Sequence, residues 1–125
     1  MGLSLLVFDP NKTNRLILVL LLMRRGCTVK AVDSLEDVIA NLRQSSFAAV
    51  FVSLDQNRLS PQNTIAQIRL VHALQIPVIG IMGAPTKADL KLCSDLGFSA
   101  VISRPIDANS IIRVLTLLRD TGRPC

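Results

Sequence analysis

The sequence predicts an α/β chain folded as a three-layer α/β/α sandwich, and three observations carry that prediction. Short runs at 3–8, 48–52 and 76–82 are apolar without polar alternation, the pattern of strands covered on both faces, as in parallel sheets flanked by helices. Segments with helical spacing and helix-capping residues separate those runs. The connections between them are short, as consecutive elements of one compact fold require.

Taken in order, residues 3–8 form the first strand and stop at Asp9-Pro10-Asn11, because Pro10 has no N–H to give a ladder. A helix over 13–25 closes at Gly26, with Arg24 and Arg25 in its last turn. Residues 28–32 alternate around Lys30 and predict a half-exposed edge strand. Ser34, with Asp37 three residues on, caps a helix whose buried face is Leu35, Val38, Ile39 and Leu42. The central strand, 48–52, turns polar at Ser53 and Asp55. A loop follows, and Ser60-Pro61 opens a helix with Ile65 and Ile68 inward. Residues 76–82 make the fourth strand, with Pro77 near its start, where a missing donor is tolerated. Thr86 and Asp89 have capping-box spacing, and that helix ends at Gly97. A short strand over 100–103 and a helix capped by Asp107, carrying Ile111, Leu115 and Leu118, complete the chain. Residues 1–120 are expected to form one domain and 121–125 a frayed tail.

Composition narrows the function classes. Half of the 125 residues are hydrophobic and 18% are charged, which excludes a disordered tail. The net charge of +5 is modest, and its cations are not interleaved with aromatics, so nucleic-acid binding is unsupported. Cys27, Cys93 and Cys125 lack metal-ligand spacing and read as reduced thiols, two of them core filler, in a cytoplasmic protein. The apolar run 16–23 is too short to span a bilayer. Residues 1–8 have no basic start and no signal-peptide pattern, and Gly2 lacks a myristoylation context. The expectation is a cytoplasmic piece of something longer. His72 is the only histidine, which removes His-centred triads and multi-His metal sites.

Phe8-Asp9-Pro10-Asn11 with Asn14-Arg15, the strand ending at Ser53, Ile68-Arg69, Ile76-Pro77-Val78-Ile79, the Gly97 turn and Arg104-Pro105-Ile106-Asp107 together resemble a response-regulator receiver domain over residues 3–119. The resemblance implies a flavodoxin-like five-stranded parallel sheet in the order 2-1-3-4-5. It also implies a pocket where a working receiver takes a phosphoryl group onto an aspartate, helped by two acidic residues, Mg²⁺, a hydroxyl and a lysine. Carried onto this sequence, those places hold Asp9 and Pro10 (the acidic pair), Ser53 (the acceptor), Met82 (the hydroxyl) and Arg104 (the lysine). Pro10 has no side-chain oxygen and Ser53 is a neutral hydroxyl that needs a base or metal to attack phosphorus, so the expected set has no catalytic residue, no metal and no cofactor. Asp55 is a displaced candidate acceptor, but its family position turns its side chain away from the pocket. The resemblance then reads as a degenerate pseudo-receiver and suggests a hybrid sensor histidine kinase as its parent.

Two further readings concern Arg104 and the first helix. Arg104 is either a structural cation bridging Asp9 or nearby acceptors, or, with Lys12 or Arg58, a site for an anionic nucleotide or phosphate. The structural reading is preferred. In the first helix, Ile17, Leu18, Leu21 and Leu22 form the stripe expected on the sheet, yet Leu16, Val19, Leu20 and Met23 form a second stripe opposite it. A flanking helix has one face to bury, so the second stripe calls for a protein partner: the family resemblance suggests histidine-kinase helices, and a second copy of the domain is the other choice.

Overall fold

The computed structural model describes residues 2–55, 60–71 and 76–121. Ten elements alternate: β1 (Ser4–Phe8), α1 (Lys12–Met23), β2 (Thr28–Val32), α2 (Leu35–Gln44), β3 (Ala49–Ser53), α3 (Pro61–Val71), β4 (Val78–Met82), α4 (Lys87–Leu96), β5 (Ala100–Ser103) and α5 (Ala108–Thr121). The strands form one sheet in the order β2-β1-β3-β4-β5, and every neighbouring pair is parallel. This is the flavodoxin-like arrangement, with the switch point beyond the ends of β1 and β3.

Period-two alternation explains the uninterrupted apolar runs. Leu6, Phe8, Val50, Val52 and Val78 point to one side, where Val38 and Leu42 of α2, Ile65 and Ile68 of α3 and Cys93 of α4 cover them. Leu5, Val7, Ala49, Phe51, Ile79 and Ile81 point to the other, against Leu18 and Leu22 of α1 and Ile111, Val114, Leu115 and Leu118 of α5. Both faces are dry, so both phases of each strand must be apolar. Each large side chain so buried is worth about 1.5–3 kcal/mol relative to exposure. β2, at the edge, keeps Thr28, Lys30 and Ala31 exposed.

The ends of the elements follow local chemistry. α1 starts a residue earlier than its spacing suggests because Asn11 caps it, its side chain accepting the Asn14 N–H at 2.9 Å. It also stops earlier, with Arg24 as C-cap and Gly26 at φ 85° turning the chain into β2. Ser34 accepts the Asp37 N–H, and Thr86 with Asp89 forms a reciprocal capping box. β4 begins at Val78 because Ile76 spends its carbonyl on the Arg69 guanidinium, 2.6 Å away, and Pro77 has no N–H. Gly97 ends α4 at φ 100°, a conformation that needs glycine. Asp107 accepts the Ser110 N–H at the head of α5, a bond that holds its carboxyl below the usual range. The expected tail begins at Thr121, the last residue of α5; residues 122–125, Cys125 among them, lie outside the described residues, as do Arg58 and His72.

Candidate functional site

The carboxyl ends of β1, β3 and β5 converge on one polar cluster. Asp9 follows β1 and is buried; its N–H donates to the Val32 carbonyl at 3.2 Å, and its Oδ1 accepts the Asn11 N–H at 2.8 Å. Arg15, one turn into α1, donates to the Asp9 carbonyl at 2.7 Å. Backbone and side chain of Asp9 are thus fixed from both directions. Ser53 closes β3 and is fully buried.

Arg104, just past β5, reaches back over both. Its Nη2 donates to Asp9 Oδ2 at 2.8 Å and to Ser53 Oγ at 3.0 Å, and its Nη1 is paired with Asp55 Oδ2. Its backbone N–H donates to the Met82 carbonyl at 2.9 Å, which ties its position to β4. Nε is buried with no partner among the described residues. One guanidinium therefore stands between two carboxylates and a hydroxyl, with charge-assisted bonds to each acid.

Asp55 departs from its sequence expectation. Its side chain does not turn away from the pocket but joins Arg104, because the guanidinium presents a second edge once Asp9 has taken the first. Gly83 helps: a Cβ there would lie 3.3 Å from Asp55 Oδ2, so the absent side chain leaves the carboxylate its room. Pro10 is exposed and lends no oxygen, while Met82 is half-buried and packs on the α2–α4 core.

This donor set does not fit a divalent cation. Asp9 Oδ2 and Ser53 Oγ already receive N–H donors from a cationic group, and a metal beside that guanidinium would meet like charge. The anion reading meets a related obstacle. Three of the five guanidinium N–H donors of Arg104 are engaged by protein acceptors, two of those being carboxylates that balance its charge, and Lys12 is exposed in the first turn of α1.

The outer face of α1 has the opposite character. Leu16, Leu20 and Met23 are 55%, 50% and 57% exposed, and Val19 is half-buried. Ile17 corrects the expected stripe: at 45% exposed it does not face the sheet, which is covered by Leu18 and Leu22 with Leu21 beside them. Residues 16–23 are all apolar, so spacing alone leaves the rotation of the helix open. Ile17 instead lines a cavity of about 420 Å³ with Asn14, Arg104, Pro105 and Ile106.

Sequence reasoning passed over Arg15 as the residue clamping Asp9, and Arg69 as the clamp on the Ile76 and Gly97 carbonyls. Helix spacing placed both, but their acceptors are backbone groups that no side-chain motif marks. Cys27 and Cys93 are buried free thiols; burial pushes both up, and Asp89 adds to the effect at Cys93, so neither is an activated nucleophile. No helix among the described residues is long and apolar enough to cross a membrane.

Comparison with known proteins fits this geometry. The family model described as the N-terminal part of AmiR matches residues 3–119. The sensory/regulatory protein RpfC of Xanthomonas campestris pv. campestris is 25% identical in an alignment that covers 98% of this chain and 17% of RpfC. The chain thus spans a small part of the curated relative it matches. A two-component response regulator from Clostridium difficile superposes with a TM-score of 0.85 at 13% identity, covering 98% of this chain and 100% of that one. The receiver domain of the sensor histidine kinase PA1611 from Pseudomonas aeruginosa, solved with magnesium coordinated in its active-site cleft, gives 0.81 at 17% identity, over 94% and 98%. At those identities the likeness is one of fold.

Proposed function

The chain belongs to the AmiR N-terminal family, and from that footing we propose that it is a receiver-fold module of two-component signalling that accepts no phosphoryl group and works by protein–protein contact. The observation that carries this reading is Arg104. Its guanidinium fills the space among Asp9, Ser53 and Asp55 where a receiver would gather Mg²⁺ and a phosphoryl group. Pro10 and Met82 supply neither a carboxylate nor a hydroxyl at the remaining positions. Ser53 accepts a bond from a cation and has no base among its partners in the described residues, so none of those partners raises its nucleophilicity. Asp55 has a carboxylate but holds it in the Arg104 pair.

With chemistry removed, contact is what remains, and the exposed apolar face of α1 is the surface offered for it. The match to a small part of the sensory/regulatory protein RpfC supports placing such a module within or beside a longer sensor protein, such as a hybrid histidine kinase. Incubation with acetyl phosphate and Mg²⁺, followed by intact mass, tests the reading. No phosphoryl adduct is expected. A stoichiometric acyl phosphate at Asp55 or Asp9 would overturn it. The alternative, a sensor of an anionic nucleotide or phosphate near Arg104, would have the anion share a guanidinium that already pairs with the Asp9 and Asp55 carboxylates. Under the proposed reading a thermal-shift screen with nucleotides stays flat.

A further inference from the structure

We infer that the open edge of β2 pairs with β2 of a second copy, antiparallel about a two-fold axis, so that two five-stranded sheets join into one. The contact is independent of the docking role given to α1.

β2 ends the sheet, with β1 as its one neighbour among the described residues. Thr28 donates its N–H to the Leu3 carbonyl at 2.9 Å, and the Val32 carbonyl accepts the Asp9 N–H at 3.2 Å. Both residues therefore turn their backbone groups toward β1. Direction alternates along a strand, so Val29 and Ala31 turn their N–H and C=O groups outward, where no described strand meets them. A row of this kind is a template for another strand. It is open to solvent. Thr28, Lys30 and Ala31 are exposed, and a groove of about 380 Å³ runs past Lys30 and Ala31 between Arg15 and Asp37.

The charges along this edge decide which strand fits it. Arg24 and Arg25 are exposed before β2 begins, and Asp33, Glu36 and Asp37 are exposed after it ends. The edge is basic at its start and acidic at its finish. A two-fold axis across the strand sets each start against the other copy's finish, so both ends join opposite signs. The same strand laid parallel would set like against like.

Ala31 suits the axis. Placed there, it exchanges N–H···O=C bonds with Ala31 of the second copy, and its small side chain admits the approach. Lys30 then lies opposite Val32 of the second copy, on the α2 side of the sheet, where Asp37 lines the groove. A lysine on an edge strand ordinarily repels other strands. In this register the two Lys30 side chains sit diagonal to each other, and Asp33 and Asp37 of the opposite copy offer each of them carboxylates. Lys30 thus refuses strands that lack acids at the matching place and admits this one.

Sedimentation equilibrium at low and at high salt tests the pairing, with amide exchange locating it. A dimer is expected at low salt, weakened at least about tenfold at high salt. The Val29 and Ala31 amides should exchange more slowly as protein concentration rises. Arg24→Glu with Arg25→Glu should weaken the dimer at least about tenfold, and so should Asp33→Lys with Asp37→Lys. An equimolar mixture of those two variants should form a heterodimer, because each then offers the sign that the other needs. The exchange measurement on the wild type decides the matter even if a variant fails to fold. A wild type that stays monomeric at low salt overturns the inference, and slowing of the same amides by an unrelated extended peptide would then assign the edge to a foreign strand. A dimer whose Val29 and Ala31 amides exchange at the monomer's rate overturns it too. So does a dimer that Leu20→Asp dissociates while both charge-reversed variants remain dimeric, which would move the contact to α1.

Discussion

Arg104 and Leu20 belong to the same molecule and break the usual rule in opposite directions. Arg104 is a cation largely withdrawn from water, with its terminal nitrogens spent on Asp9, Ser53 and Asp55. Leu20 is an apolar side chain half in water, with Leu16 and Met23 in the same condition. Pocket chemistry needs reactive groups that are free, and docking needs apolar groups that are free. Here the polar pocket is closed upon itself, while the apolar helix face is open. The difference locates the unspent interaction energy on α1 and not at the ends of the strands.

The largest effect that could break this contrast lies within α1. Leu18→Ala, on the sheet-facing side, should destabilise the fold by about 2–5 kcal/mol in urea denaturation, through lost transfer energy and a cavity. A small effect would mean that the buried and open faces of α1 have been exchanged. Next comes the pocket: Arg104→Ala should cost about 1–3 kcal/mol, because among the described residues Asp9 is left buried with the Asn11 N–H alone on its carboxylate. A neutral result would open the pocket again to ligand chemistry.

The cysteines sharpen the comparison between the two buried layers, since Cys27 lies in the α1–α5 layer and Cys93 in the other. Both thiols are raised above the ordinary value of 9.0. Above that value the unfolded chain releases protons that the folded chain keeps, so stability should fall as pH climbs past it. Native-state labelling by iodoacetamide at neutral pH should be slow at both and become fast in urea. Rapid labelling of Cys27 alone would reveal a loosely packed α1. The smallest effect belongs to the open face: Leu20→Ala should shift stability by no more than about 0.5 kcal/mol.

Much of this contrast is legible in the sequence, and the illegible parts have particular causes. Apolar runs without alternation announce a sheet covered on both sides, and Lys30 marks its edge. Ser34, Thr86, Asp89 and Gly97 announce helix ends because caps act over three or four residues. The two-sidedness of α1 is also readable, but its rotation is not. Eight consecutive apolar residues give no phase, so the spacing places Ile17 on the sheet although it faces the cavity. Asp55 differs from its expectation for another reason. Its partner is 49 residues away, and which edge of Arg104 remains available depends on how Asp9 is held. Local spacing carries no such information.

The measurement that bears most directly on the closed pocket is a titration of the protein with Mg²⁺, then beryllofluoride, followed by amide chemical shifts. The account predicts no saturable shift at Asp9, Ser53, Asp55 or Arg104 with either addition, because Arg104 already occupies the acceptors that both ligands need. Saturable Mg²⁺-dependent shifts at those residues, followed by a second set with beryllofluoride, would contradict it.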